Sequence, residues 1–62
     1  MKRIITLKDK NDKVVREISH DVLPSETSTI APLFKHEGIT YDLIIGFLKI
    51  DELHVIYKEY SH

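Results

Sequence analysis

The stretch YDLIIGFLKID, residues 41–51, decides how this chain folds. It is rich in the β-branched and aromatic residues that favour extended backbone. A strand half-covered by a core should alternate apolar and polar side chains. This one does so only at its start. Taken as residues 39–50, its odd positions Ile39, Tyr41, Leu43, Ile45 and Phe47 make one apolar face. Its even positions begin polar with Thr40 and Asp42, then turn apolar with Ile44, Leu48 and Ile50. Gly46 stands at the changeover. Glycine inside a strand marks a bulge or a sharp bend. A bulge at Gly46 would keep Leu48 and Ile50 on the core side and turn Phe47 outward. Without it, Phe47 stays inside and Leu48 and Ile50 face out.

The last strand, LHVIYKEY at residues 53–60, has the same character. Leu53, Val55 and Tyr57 form one face, while Ile56 and Tyr60 share the other with His54 and Lys58. Apolar residues on both faces have three readings. A long strand bent at glycine serves both halves of a small barrel. A second subunit covers the reverse face. Or the segment DVLPSETSTIAP, residues 21–32, folds back over it.

Working outward, RIITLKD reads as a first strand, KNDK as a polar turn and VVREISH as a second strand. Asn11 and Asp12 tolerate the left-handed backbone of a tight turn, so the two strands pair as a hairpin. Pro24 and Pro32 punctuate the next segment. Ser25 is a suitable cap for one short helical turn near residues 25–30, although Thr27, Thr29 and Ile30 weaken any helix. PLFKH reads as a short third strand, and HEGIT as a turn in which Gly38 takes a positive φ. The expected fold is all-β: a five-stranded antiparallel meander forming a small SH3- or OB-like barrel or half-barrel.

The chain has 62 residues, which allows a single small domain over 1–62. A chain of this size buries only about 60% of the surface its unfolded form exposes. Small scaffolds therefore recruit disulfides, metals or a second subunit. With no cysteine, disulfides and cysteine-ligated zinc are excluded and oligomerisation is the most available support. No apolar run reaches membrane-spanning length, and the N-terminus lacks the apolar core of a signal peptide. The expectation is a cytoplasmic protein with no membrane contact. Size and composition suit an accessory protein of bacterial or phage type.

Several chemistries are disfavoured by spacing. Ser19, His20 and Asp21 are consecutive, and neighbours on a strand point to opposite faces. His20, His36, His54 and His62 lack zinc-site spacing. DKNDKV resembles a calcium loop only superficially. Lys13 takes a ligand position, Val14 replaces the required glycine and His20 stands where a glutamate belongs. Asp51 and Glu52 pair carboxylates only in a turn open to water, which is not the concave, water-excluding site an enzyme needs. No catalytic residue, metal or cofactor is therefore expected, and the protein reads as non-enzymatic.

Charge is unevenly distributed. Residues 1–20 carry a net +3 and residues 21–62 a net −4. Lys8, Lys10, Lys13 and Arg16 make the first hairpin a candidate nucleic-acid surface. Against that, all the aromatics (Phe34, Tyr41, Phe47, Tyr57 and Tyr60) lie in the second half, and the pI of about 6.4 is low for such a domain. The leading expectation is protein binding with self-association as a homodimer, through Ile44, Leu48, Ile56 and Tyr60.

Overall fold

The computed structural model describes residues 1–23 and 30–60. The short helical turn expected near residues 25–30 falls on positions outside the described residues, apart from Ile30. Five strands follow in chain order: β1 Lys2–Lys8, β2 Val14–Asp21, β3 Leu33–His36, β4 Ile39–Lys49 and β5 Glu52–Glu59. Among the described residues no helix is long and apolar enough to cross a membrane.

The strands form one curled, open sheet in the order β2-β1-β5-β4-β3. The all-β class and the half-barrel form stand, but the purely antiparallel meander does not. β1 pairs with β5 in parallel, while β1–β2, β5–β4 and β4–β3 are antiparallel. Local signals specify hairpins, because turn residues sit between consecutive strands. They carry no information about which strand the first one meets on its other side. The connection after β2 takes the chain from one sheet edge to the other, so β5 can slot into the middle.

A central β5 explains the core. Leu53, Val55 and Tyr57 are buried and alternate with half-buried partners. In the parallel ladder Ile5 lies opposite Val55 and Leu7 opposite Tyr57. These four residues and Tyr41 form the buried cluster, with Leu7 at 0% exposure. Ile18, Ile30, Phe34 and Leu43 pack around it. This inner face is roofed from residues 30–32. The Tyr57 hydroxyl donates to the Ala31 carbonyl at 2.8 Å, and the Leu43 amide donates to the Pro32 carbonyl at 3.0 Å.

Turn chemistry follows the sequence. Asp9 accepts hydrogen bonds through Oδ1 from the amides of Asn11 at 2.8 Å and Lys13 at 3.0 Å. Asp12 carries the positive φ of 67° that the first hairpin needs. In the β3–β4 turn both Glu37 and Gly38 have positive φ, 51° and 80°. That is the two-residue hairpin geometry whose twist matches its strands.

The bulge in β4 is real but displaced. The register slips between Leu43, opposite Tyr57, and Ile45, opposite Ile56, leaving Ile44 as the extra residue. Gly46 answers a different need. A Cβ at that position would lie 3.1 Å from Cδ1 of Ile30 and 3.4 Å from Cγ1 of Val55. Glycine there lets the returning segment close on the sheet. The parity consequence is the one a bulge requires. Gly46 and Leu48 lie opposite Val55 and Leu53 on the inner side, while Phe47 lies opposite His54 on the outer side.

Candidate functional site

The site of interest is the second half of β4. β3 is short and covers only residues 39–42 of β4. The Leu43 amide bond to Pro32 extends that cover by one residue. Beyond it, among the described residues, no backbone group pairs with the outward side of residues 44–49. Their other side pairs with β5 from Ile45 to Lys49. The result is a run of backbone donors and acceptors unpaired among the described residues and flanked by apolar side chains. Ile44 is 59% exposed, Ile45 51%, Phe47 37%, Leu48 66% and Ile50 94%.

The other free edges differ. β2 carries Arg16, Glu17 and Asp21 along its length, and β3 is four residues long with Lys35 in it. Charged side chains and brevity are the usual protections of a sheet edge. Residues 44–49 have only Lys49, at the far end. The outer face beside them is also partly apolar. Ile56 is half-buried next to Ile45, and the Phe47 ring stacks on His54 with centroids 5.1 Å apart. His54 Nε2 in turn lies 3.0 Å from Glu52 Oε1.

The four residues expected to form one interface are not one patch. Ile44 and Leu48 lie on the open edge of β4. Ile56 stands on the outer face, and the register places Leu48 on the inner side. Tyr60 sits at the opposite end of β4, where its amide donates to the Thr40 carbonyl at 2.8 Å. Ile45, counted in the sequence with the core face, is exposed instead, and Phe47 takes the outward alternative that a bulge allows. The signal for that exchange was the bulge, and placing it at Ile44 moves Ile45 outward.

The polar candidates take structural positions. Ser19 and His20 face opposite ways, with Arg3 Nε donating to His20 Nε2 at 3.0 Å. Among the described residues no group of three or more His, Asp or Glu side chains is arranged to hold a metal. The basic hairpin is interleaved with carboxylates. Lys58 Nζ lies 3.3 Å from Asp12 Oδ1, and Arg16 lies 3.9 Å from Glu37. Tyr41 and Tyr57 are buried and offer no ring to a base.

Two hollows accompany these groups. One of about 160 Å³ lies beneath Ile30 and Ala31, beside Phe34, Val55 and Tyr57. Burial there raises the Tyr57 phenol above its ordinary value of 10.0. A second, of about 250 Å³, lies between Arg16, His36, Glu37 and Glu59. His36 Nε2 is buried there with no hydrogen-bond partner among the described residues, 3.8 Å from Glu37 Oε1.

Comparison with known proteins finds no matching family model, no matching curated protein and no matching solved structure.

Proposed function

We propose that this chain is a non-enzymatic protein-binding protein that self-associates as a dimer, using the second half of β4 as its docking surface. One observation carries the reading. Residues 44–49 combine a backbone edge that is unpaired among the described residues with exposed apolar side chains on both of its faces. A partner that adds a strand gains backbone hydrogen bonds from the edge and specificity from the side-chain rows.

Magnitudes favour the edge over either face alone. Full burial of a large apolar side chain is worth about 1.5–3 kcal/mol. Half-exposed Ile44, Ile45, Phe47 and Leu48 therefore offer about 1 kcal/mol each when covered, or about 8 kcal/mol for a symmetric pair. Association itself costs roughly 4–15 kcal/mol. Apolar cover alone leaves little margin. Backbone hydrogen bonds, at about 0.5–1.5 kcal/mol each, supply the rest. The basic hairpin has weaker support as a nucleic-acid surface, because its cations stand among Asp9, Asp12, Glu17 and Glu37.

A dimer that is more stable than its monomers melts at a temperature that rises with protein concentration. The wild-type chain is expected to show this rise across the micromolar range. Ile44→Asp is expected to remain folded and to melt at one temperature regardless of concentration. A wild-type melting point independent of concentration would count against self-association. An Ile44→Asp chain unfolded at every concentration would place Ile44 in the core.

A further inference from the structure

Resting on the protein-binding reading above, we infer that a second copy of this chain adds antiparallel along residues 44–48 of β4, with a two-fold axis through Gly46. Two five-stranded sheets then become one continuous sheet across the dimer.

Symmetry restricts the register. Two identical neighbouring strands that run antiparallel are related by an axis perpendicular to the sheet, so each residue faces a partner on its own side. Side-chain parity then requires one residue to face its own copy. The free window, residues 44–49, limits that residue to its middle, because β3 and Pro32 block the edge at Leu43. With Gly46 on the axis, Ile45 stands opposite the second copy's Phe47 on the outer face. Ile44, the extra residue of the bulge, lies outside this regular pairing. The Ile45–Phe47 contact is an aromatic–β-branched cross-strand pair, a favourable class. With Phe47 on the axis instead, Ile45 would face Lys49 and that pair would be lost.

Charge points to the same occupant. The middle of this edge has no charge to desolvate against a copy of itself, whereas β2 carries Arg16, Glu17 and Asp21. In residues 44–49 the only charge is Lys49. It stands three residues from Gly46, so the two lysines would be separated by six residues of strand, about 20 Å at the strand rise. That exceeds the Debye length of about 8 Å at physiological salt. The strand that fits is apolar on both faces and uncharged at its centre, which is what a second copy presents.

The native chain has no cysteine, so single substitutions report contacts without competition. Ile45→Cys and Phe47→Cys variants are mixed in equal amounts and oxidised mildly. Directly opposed strand residues have the Cα separation a disulfide accepts. The mixed disulfide is expected to exceed either like-with-like disulfide several-fold. On the unsubstituted protein, amide exchange across residues 44–48 is expected to slow as concentration rises. Equal yields of the three disulfides, or exchange that ignores concentration, would overturn the inference. Sedimentation of the same wild-type sample separates the two claims. A dimer without the mixed disulfide overturns only this strand pairing, and a folded monomer at high micromolar concentration overturns the dimer reading with it.

Discussion

Glu37 holds a φ of 51° in a turn where Gly38 holds 80°. For a residue with a Cβ, that left-handed conformation costs about 1–2 kcal/mol. Asparagine followed by glycine is the preferred pair for such a turn. Glu37 gives little in return, since its contact to Arg16 is 3.9 Å long and its side chain is 72% exposed. Exposed ion pairs of this kind contribute about 0–1 kcal/mol. The backbone term wins, so Glu37→Asn is expected to stabilise the fold by about 0.5–1 kcal/mol in urea unfolding. Tyr57 supplies a second test. Its phenol is raised by burial and donates to Ala31 only while protonated. A group whose folded pKa is raised contributes stability that is complete below its unfolded value, here about 10, and lost as pH climbs through the folded value. Tyr57→Phe should cost about 0.5–1.5 kcal/mol at neutral pH. Its stability should also fall less steeply than the wild type's above pH 10, as read by chemical unfolding across that range.

At the scale of the element, β4 shows what glycine does in a strand and what it does not. The bulge belongs to Ile44, while Gly46 makes room for Ile30. Gly46→Val is therefore expected to push Ile30 off the inner face and destabilise the fold by about 1–3 kcal/mol, the usual cost of overpacking. Unfolding equilibria check the magnitude; an unchanged stability would mean that Ile30 does not close on the sheet. Strand positions were legible because Val, Ile and Tyr cluster between turns containing Asn11, Asp12 and Gly38. The parity change along β4 was legible too, since Ile44, Leu48 and Ile50 break the alternation. The bulge position was not, because a bulge is fixed by the ladder with β5 and leaves no obligatory residue type in the sequence. Ile45 was placed on the core face for that reason, and Phe47 was left open between core and exterior. Glu37 at positive φ was also invisible, as glutamate is an unusual occupant of that region.

At the scale of the molecule, the parallel pairing of β1 with β5 determines what is covered and what is left open. It buries Ile5, Leu7, Val55 and Tyr57 together at the sheet's centre. It also leaves β3, only four residues long, and Pro32 as the described cover for the far side of β4. No local pattern encodes that neighbour choice, since it depends on which strand faces match across the whole chain. The apolar residues on both sides of the 41–51 stretch thus have separate explanations. The first half is enclosed by β3, β5 and residues 30–32, and the second half carries the edge proposed for docking. The most direct test of that claim is sedimentation equilibrium of the wild-type chain and of Ile44→Asp across the micromolar range. The account predicts a reversible monomer–dimer equilibrium for the wild type that shifts to monomer in the variant. A wild type that stays monomeric at high micromolar concentration, or a variant that dimerises as well as the wild type, would contradict it.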